Sequence, residues 1–361
     1  MQTQADGVEV VATAGEVRPD RPQPLLVLDA VTAFFDAHGL GGGAVAWERT
    51  GDGQSNITYL IRRGADAFVL RRGPRPPLPR STHDMVREAR IQQLLHGSGV
   101  PVPRILAVCE DETLLGVPFY AMEWLDGAVI TDTVPEALDS EEQRRATSAA
   151  LVGALAELHS VDVSTGPLAA FGRPEGYLER QVSRFAGLWD TNTTRVLPEV
   201  DRLAGWLRDN LPSSEAAAVV HGDYRLGNVM FRRSAPATPL AILDWEMATL
   251  GDPLADLGYL TATYSDPGAI PNPLHLSPVT ARPGYLSSAD LAGDYAARTG
   301  ADLRALPWYQ ALALWKAAIF SEAIYTRWLD GQRPDDTTFA PMLEAGVPAL
   351  LHAASERAHL T

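Results

Sequence analysis

The sequence feature that most constrains the fold is a polar loop placed between apolar segments in the second half of the chain. The loop reads HGDYRLGNVMF over residues 221–231, and an apolar stretch, AILD, ends at Asp244 shortly afterwards. His, Asp, Arg and Asn all stand within eight positions of this loop. An ordinary surface loop does not need such a set. The pattern therefore predicts a reactive site at the ends of buried strands.

The length and the change of character along the chain predict two domains. A chain of 361 residues is too long for one small core. Residues 1–24 are polar with several prolines, and predict a disordered lead-in. Residues 25–125 alternate apolar and polar positions around turn residues, and predict a β-rich N-terminal lobe. Residues 126–361 show mainly helical spacing, and predict a C-terminal lobe that carries the polar loop.

Charge and cysteine content exclude several classes of partner. The net charge of −15 and the pI near 4.9 argue against a nucleic-acid binder, which would show a basic face. The single cysteine, Cys109, excludes an intrachain disulfide framework and a cysteine-based metal site. No stretch approaches the roughly 20 apolar residues of a membrane span, and the first residues do not resemble a signal peptide. These features predict a cytoplasmic protein without a membrane partner.

The polar loop and the following strand offer the groups that phosphoryl transfer requires. That reaction needs a carboxylate at the acceptor hydroxyl, a divalent metal and cations that hold the phosphates. Asp223 can accept the hydrogen of a hydroxyl, and Asn228 can present its amide oxygen to a metal. Arg225 supplies a cation between them, and Asp244 supplies a second hard oxygen ligand. The spacing HxDxxxxN, followed by an apolar strand that ends in Asp, is that of a kinase catalytic loop.

HGDYRLGNVMF and ILDWEMATLGDPLADL together resemble the aminoglycoside phosphotransferase family, which includes choline kinase-like proteins. The sequence is most similar to the branch of phosphotransferase domains associated with acyl-CoA dehydrogenases. YLERQVSRF (177–185) and IYTRWLDGQ (324–332) look like helices of that branch. The resemblance extends over about 45–330, and its specific part is 221–258. It implies an α+β, bilobal protein-kinase-like fold. Residues 25–125 would form a nucleotide-binding N-lobe with a five-stranded antiparallel sheet and one packed helix. Residues 126–361 would form a larger, mainly helical C-lobe that carries the catalytic loop and the acceptor site.

The resemblance also implies roles for individual residues of the C-lobe. Asp223 would be the catalytic base or the carboxylate that orients the acceptor hydroxyl, and Arg225 would lie near the transferred phosphate. Asn228 and Asp244 would be magnesium ligands. Two further residues would support the loop: His221 and, through backbone N–H groups, Asp256.

Two residues of the N-lobe are predicted to form an ion pair. In the strand AFVLR, period two places Val69 and Arg71 on one face, as in the kinase pattern of a small apolar residue and a phosphate-holding lysine. Arg71 replaces the usual lysine and can still bridge phosphate oxygens. Glu88 lies on a helical stripe with Met85, Ile91 and Leu95. A carboxylate on a packed stripe needs a cation, and Arg71 is the expected one.

The remaining nucleotide contacts are expected from loop and hinge segments. TGDGQSN (50–56) would cover the phosphates with its amides and Ser55, although its glycines would also suit any tight turn. The backbone of Glu123–Leu125, in the hinge FYAMEWLDG, would meet the base.

Together these features predict a magnesium-dependent phosphotransferase that takes ATP, or alternatively GTP, as donor and acts on a hydroxyl of a small molecule. The branch resemblance favours a hydroxy acid or hydroxyacyl compound. One alternative is an aminoglycoside O-phosphotransferase, against which residues 301–330 contain only three acidic residues. A second alternative is a catalytically weak nucleotide- or ligand-binding module, which the change from Lys to Arg71 motivates. The aromatic helix at 308–328 could pack in the core or line an acceptor pocket.

Overall fold

The structure is a computed structural model that describes residues 3–4, 7–18, 20–50, 56–75, 84–214, 217–268, 276–332 and 336–360. The chain forms two compact units. The N-terminal unit comprises Met1–Asp126 together with the short segment Asp244–Glu246. The C-terminal unit comprises Gly127–Leu243 and Met247–Thr361. The sequence predicts a domain boundary between residues 125 and 126, and the compact units divide between residues 126 and 127. In addition, the segment Asp244–Glu246 is grouped with the N-terminal unit.

Over its described residues, the N-terminal unit is built on one five-stranded antiparallel sheet with two α-helices. Its strands are β1 (Thr3–Gln4), β2 (Gly7–Val8), β3 (Val10–Val11), β4 (Leu26–Val27), β5 (Ala46–Thr50), β6 (Ile57–Arg63), β7 (Asp66–Arg72), β8 (Ile105–Cys109) and β9 (Phe119–Glu123). Its helices are α1 (Leu28–Ala37) and α2 (Met85–Leu95). The main sheet has the order β5-β6-β7-β9-β8, and every neighbouring pair is antiparallel.

The two helices contribute to separate apolar clusters on this sheet. Val31 and Phe35 of α1 are buried in a cluster with strand residues such as Leu70. Met85 of α2 is buried against Tyr120 in another cluster. Because successive side chains of a strand point to opposite faces, each helix covers one face of the sheet. The prediction of one packed helix is therefore wrong: the apolar stripe of α1 covers a face that would otherwise be exposed.

The prediction of a disordered lead-in over residues 1–24 is also wrong for part of that segment. Val10 and Val11 form β3, which pairs in parallel with β4, and both side chains are only 6% exposed. Glu9 is buried as well, and its Oε1 accepts a hydrogen bond from the Tyr59 hydroxyl at 2.9 Å. The apolar pair at 10–11 lies within a polar stretch, and it is ordered by the burial that β4 provides.

The C-terminal unit is mainly helical. Its helices are α3 (Glu141–Ser160), α4 (Gly166–Ala169), α5 (Tyr177–Asn192), α6 (Pro198–Asp209), α7 (Leu254–Ala262), α8 (Ser288–Thr299), α9 (Leu306–Leu329) and α10 (Phe339–Arg357). Its strands are β10 (Gly127–Val129), β11 (Ala218–Val220), β12 (Val229–Arg232), β13 (Pro239–Ile242) and β14 (Thr249–Gly251). Among the described helices, none is both long and apolar enough to cross a membrane.

The short strands of the C-terminal unit position the polar loop. β11 ends at Val220, directly before His221, and pairs with β14. β12 begins at Val229, directly after Asn228, and pairs with both β10 and β13. The loop therefore runs between two paired strands and is fixed at both ends.

Helix α9 lies at the centre of the large apolar core of the C-terminal unit. Trp308, Tyr309, Trp315 and Tyr325 are each no more than 6% exposed, and they pack with residues of α5, α6 and α10. Phe320 differs from these aromatic residues, because 44% of its surface is exposed. Most of the aromatic helix is therefore core, while one aromatic side chain faces outward.

Candidate active site

Asp256, at the start of α7, holds the backbone of the polar loop. Its carboxylate accepts hydrogen bonds from the backbone N–H of His221 at 2.7 Å and of Gly222 at 2.8 Å. The side chain is fully buried. Burial acts to raise the pKa of Asp256, but hydrogen bonding and attraction to His159 and His221 lower it below its usual value. The carboxylate is therefore held in its charged form, which accepts backbone donors well.

His221 connects the loop to the end of β13. Its Nε2 lies 2.9 Å from the carbonyl oxygen of Leu243, and its Nδ1 accepts a hydrogen bond from the backbone N–H of Asp223 at 3.3 Å. The residue is fully buried. With Nδ1 as acceptor, Nε2 carries the proton and donates to the carbonyl. This arrangement uses both ring nitrogens in shaping the loop.

Asp223 and Asn228 meet through the turn between them. The Asn228 Nδ2 donates to the Asp223 carbonyl at 2.8 Å and to the Asp223 carboxylate at 2.7 Å. A short turn of 3-10 helix at Leu226–Asn228 brings the two side chains together. Because the amide nitrogen is used in this way, the Asn228 Oδ1 remains as an acceptor.

Arg225 lies beside the same carboxylate. Its Nε is 3.6 Å from Asp223 Oδ2, and both side chains are about a quarter exposed, at 25% and 23%. Within the described residues, the Nε has no hydrogen-bond partner although it is buried. Burial raises the pKa of the Tyr259 phenol of α7, and the charge of Asp223 and a hydrogen bond with Asp223 raise this pKa further. A cation and a phenol thus flank one carboxylate that is partly open to solvent.

Gly222 is required by the shape of the loop. Its φ of +88° lies in the left-handed region, and a Cβ added there would be 2.9 Å from the Cβ of Met247. A side chain would therefore be both strained and obstructed. This explains why glycine stands here between His221 and Asp223.

A second group of residues lies in the N-terminal unit, and we call it the arginine cluster: the predicted Arg71, Glu88 and Asp244, together with Glu246. Arg71 of β7 donates from Nε to Glu88 Oε1 of α2 at 3.0 Å, and it forms an ion pair with Asp244. The Arg71 side chain is 15% exposed and that of Glu88 only 1%. Burial raises the pKa of Glu88, and the Arg71 charge opposes this. The ion pair predicted between Arg71 and Glu88 is present.

Asp244 and Glu246 bring two further carboxylates to the arginine cluster. Asp244 has a φ of +66°, a left-handed conformation that Asp tolerates better than most residues. Glu246 accepts a hydrogen bond from the Asn56 amide at 2.9 Å. Burial, followed by the charges of Asp244 and Glu88, raises the pKa of Glu246 to about 7. Sequence reasoning gave Glu246 no role, although it stands two positions after Asp244.

The other predicted nucleotide-binding residues are placed as follows. Ser55 lies outside the described residues. Glu123 ends β9, where its backbone N–H donates to the Arg104 carbonyl at 2.9 Å and its side chain accepts from the Arg104 N–H at 2.7 Å. Leu125 follows between β9 and β10 and is half-buried. The Glu123 N–H is therefore engaged within the unit.

His159 supports the loop in a way that the sequence did not indicate. This residue stands in the last turn of α3, where a helix-end role seemed sufficient. In the structure its Nε2 lies 3.2 Å from Asp256 Oδ2, and its Nδ1 lies 2.7 Å from the Tyr295 hydroxyl. Asp256 is 97 residues away along the chain, so no local spacing could reveal the contact.

Comparison with known proteins identifies the class of fold. A candidate aminoglycoside phosphotransferase from Ralstonia eutropha superposes with a TM-score of 0.78 at 30% identity, covering 92% of this chain and 98% of that one. The spectinomycin phosphotransferase APH(9)-Ia, solved with ADP and spectinomycin, superposes with a TM-score of 0.58 at 12% identity, covering 94% and 99%. The predicted α+β, protein-kinase-like fold is confirmed.

Sequence comparison then identifies the family. Residues 46–309 match the model of the phosphotransferase enzyme family. Acyl-CoA dehydrogenase family member 11 of Rattus norvegicus is 31% identical over 341 residues, which are 90% of this chain and 43% of that protein. The chain belongs to the phosphotransferase enzyme family. It spans less than half the length of this curated relative, and the predicted resemblance to domains associated with acyl-CoA dehydrogenases is confirmed.

Proposed function

We propose that this kinase-type protein transfers the terminal phosphoryl group of ATP or GTP to a hydroxyl of a small molecule, with magnesium. The observation that carries the proposal is the paired Asp223 and Asn228, on a loop held by the buried Asp256. Such a loop fixes one carboxylate and one amide oxygen at a constant distance. Positioning of this kind is most of what phosphoryl transfer asks of a protein.

Asp223 is proposed to accept the hydrogen of the acceptor hydroxyl and so to direct its oxygen at the phosphorus. Its carboxylate is anchored by Asn228 yet 23% exposed, so it can contact a substrate. Arg225 is proposed to stabilise the negative charge of the transferred group. The buried Nε of Arg225, which lacks a hydrogen-bond partner among the described residues, supports an anionic ligand there.

Asn228 and Asp244 are proposed to hold magnesium, and their chemistry fits that ion. The amide nitrogen of Asn228 makes the hydrogen bonds to Asp223, so the amide oxygen Oδ1 can face a metal ion. Asp244 supplies a carboxylate. Among the residues described, no group of three or more His, Cys, Asp or Glu side chains could hold a metal alone. Magnesium usually takes only one or two carboxylates, with phosphate and water as its other ligands. When bound, it would offset phosphate charge.

Arg71 is proposed to hold the phosphates in place of the usual lysine, with Glu88 fixing its orientation. Arg71 donates from Nε to Glu88, from Nη1 to the Thr58 hydroxyl at 3.4 Å and from Nη2 to Asp244. Because a guanidinium carries five donors, it keeps further N–H groups for phosphate oxygens. The Glu123–Leu125 backbone and Ser55 remain proposed contacts of the nucleotide. ADP in the spectinomycin phosphotransferase structure supports a nucleotide donor.

The acceptor is proposed to be a hydroxy acid or hydroxyacyl compound rather than an aminoglycoside. A polycationic acceptor needs several available carboxylates. Of the acidic residues in 301–330, Glu322 is buried and bonded to Arg195 at 2.9 Å, and Asp302 is bonded to Arg304. These contacts leave little negative charge for an aminoglycoside. A cytoplasmic setting remains a prediction.

A thermal-shift titration with ATP and GTP, each with and without magnesium, tests the nucleotide site. A ligand at a hundredfold excess over its Kd stabilises the folded state by about 2.7 kcal/mol. We expect a magnesium-dependent shift for the wild type that is lost in Asp244→Ala. Asp66→Ala removes an exposed carboxylate from the same strand as Arg71 and should keep the shift. No shift with either nucleotide would contradict the proposal.

A further inference from the structure

The C-terminal unit contains a cavity of about 690 Å³ that is separate from the catalytic loop. The C-terminal ends of α3 and α8 and the starts of α7 and α9 form its walls. Within the described part of the chain, none of the residues that line it belongs to the loop 221–231. Binding sites for small organic molecules have volumes of about 300–1,000 Å³. The cavity is therefore large enough for a ligand of its own.

Two side chains connect the wall of this cavity to the catalytic loop. Tyr295 and His159 both line the cavity, and the Tyr295 hydroxyl lies 2.7 Å from the His159 Nδ1. The His159 Nε2 lies 3.2 Å from Asp256 Oδ2. This oxygen accepts the backbone N–H of His221, and the other carboxylate oxygen accepts that of Gly222. A continuous series of hydrogen bonds thus leads from the cavity to the loop.

Asp252 makes a second connection, because it fixes the start of α7 at the same wall. Its Oδ1 accepts a hydrogen bond from the backbone N–H of Leu254 at 2.9 Å. Its Oδ2 accepts hydrogen bonds from the hydroxyls of Ser214 and Tyr309, both at 2.7 Å. Helix α7 carries Asp256, so the cavity wall and the support of the loop share one helix start. With three donors, the buried Asp252 carboxylate is satisfied by the protein itself.

Arg298 offers the cavity hydrogen-bond donors that the protein does not use. It lies in the last turn of α8, where its Nε donates to Asp294 Oδ1 at 2.9 Å. Within the described residues, its two terminal nitrogens make no hydrogen bond. The guanidinium extends towards α3, since a Cβ added to Gly153 would lie 3.4 Å from Nη1. A guanidinium only donates, and its planar end fits the two oxygens of a carboxylate.

The other ion pair that lines the cavity is closed on itself. Arg304 donates from Nε to Asp302 Oδ2 at 2.6 Å and from its backbone N–H to Oδ1 at 2.9 Å. The Arg304 side chain is 91% exposed, so it extends into solvent. Arg298 is therefore the better placed of the two cations for a ligand inside the cavity.

Most of the remaining cavity surface is apolar or aromatic. The rings of Tyr295 and Tyr309 each belong to residues that are only 1% exposed to solvent. Small apolar side chains complete the walls: Ala156, Pro212, Pro253, Leu254, Ala301 and Ala305. Such walls favour a flat apolar molecule, because aromatic rings bury a large area and stack at low entropic cost.

We propose that this cavity binds a small organic molecule that has a flat apolar body and a carboxylate. Arg298 binds the carboxylate, and the body packs against Tyr295. The occupant restricts Tyr295, and so stabilises the hydrogen bonds of His159 and Asp256 that hold the catalytic loop. This molecule is an effector, neither donor nor acceptor of the phosphoryl group. The proposal goes beyond the proposed function, and its tests require no phosphoryl transfer.

Isothermal titration calorimetry of the full chain tests the binding. The probes are benzoate, naphthoate and phenylbenzoate, each compared with its primary amide, which has the same shape without the negative charge. We expect the wild type to bind each acid about tenfold more tightly than its amide, as one charged hydrogen bond would cause. Affinity should rise with the size of the ring system, because more apolar surface is buried.

Variants of the cavity separate this site from binding elsewhere on the protein. Arg298→Leu should abolish the preference for acid over amide. Arg208→Leu is the matched control, because Arg208 is an exposed cation in the last turn of α6 and does not line the cavity. It should keep the preference. Ala301→Trp places an indole in the cavity and should weaken the binding of every probe by about tenfold or more.

Amide hydrogen exchange tests the connection to the catalytic loop. Saturation with phenylbenzoate should slow exchange of the His221 and Gly222 amides by about fivefold or more, the lower range of coupling between sites. Tyr295→Phe should still bind the probe but lose this effect. Tyr285→Phe should keep it, because the buried Tyr285 hydroxyl makes no hydrogen bond within the described residues.

Three results would overturn the inference. They are a wild type that binds none of the acids, an unchanged acid preference in Arg298→Leu, and binding that leaves exchange of the His221 and Gly222 amides unaltered. All three are read without a nucleotide or an acceptor. The inference can therefore fail while the proposed function stands, and the reverse also holds.

Discussion

Arg71 and Glu88 form a nearly buried ion pair, with the Arg71 Nε 3.0 Å from the Glu88 Oε1. The pair joins the central strand β7 to α2, and its arginine also reaches Asp244. Of the 30 Lys and Arg residues in the sequence, one is lysine and all others are arginine. An arginine in place of the phosphate-holding lysine is therefore consistent with the composition of the whole chain. Arg71 does not, therefore, single out this chain as an inactive member of its family.

Removing the arginine of the Arg71–Glu88 pair should lower the free energy of unfolding. Arg71→Met leaves Glu88 buried without its cation, and loss of one partner of a buried pair costs about 3–5 kcal/mol. Glu88→Gln in the same chain should recover much of the loss, because no buried charge then remains. Urea denaturation of the single and double variants measures the coupling. Additive effects of the two substitutions would contradict the pairing.

Two controls extend the same series. Arg62→Met breaks the exposed pair with Glu48 on β5 and β6, and should change the free energy of unfolding by no more than about 1 kcal/mol. Arg71→Lys keeps a cation and should retain the magnesium-dependent nucleotide shift, which Arg71→Met should lose. Loss of the shift in Arg71→Lys as well would show that the guanidinium geometry is essential.

Asp256→Asn should destabilise the fold at neutral pH by weakening the support of the catalytic loop, and should reduce the loss of stability on acidification. The native pKa of Asp256 lies below its usual value of 3.8, so its stabilising contribution is present above 3.8 and is lost as pH falls through the native pKa. The variant should lose about 1.5–3 kcal/mol at neutral pH, as for hydrogen bonds to a charged group. The difference from wild type should shrink in acid. Unfolding measured across pH, with Asp201→Asn of α6 as an exposed control, checks this.

Gly222→Ala should destabilise the chain although it adds one methyl group. The left-handed backbone costs a residue with a Cβ about 1–2 kcal/mol, and the contact with Met247 adds to this. Gly187→Ala is the matched control, because a Cβ there meets nothing within 4 Å and alanine favours the helix α5 by about 0.5–1 kcal/mol. Opposite signs in urea denaturation are expected. Equal effects would contradict the loop geometry.

Local spacing was enough to predict the parts of the site that local structure builds. Asp223 and Asn228 are five residues apart in one turn, and Arg71 and Glu88 follow from the periods of a strand and a helix. Contacts between segments that are far apart in the sequence cannot be predicted from local spacing. His159 reaches Asp256 across 97 residues.

The same limit explains the errors in the fold. The parallel pairing of Val10–Val11 with Leu26–Val27 involves two-residue strands, which are too short to show a period. Residues Asp244–Glu246 belong to the N-terminal unit although the chain on both sides of them belongs to the other unit. An exchange of three residues leaves no mark in composition. Within the N-terminal unit, Asp244 pairs with Arg71 and Glu246 accepts a hydrogen bond from Asn56.

Acceptor-free hydrolysis of ATP and GTP, with and without magnesium, tests the central claim most directly because it requires no knowledge of the acceptor. We predict slow, magnesium-dependent hydrolysis by the wild type. Asp223→Asn should lower it by about a hundredfold or more, as expected for loss of a positioned catalytic carboxylate, while nucleotide binding persists. If the wild type binds nucleotide but hydrolyses none, or if Asp223→Asn hydrolyses it at the wild-type rate, the account of this chain as a phosphotransferase centred on Asp223 is wrong.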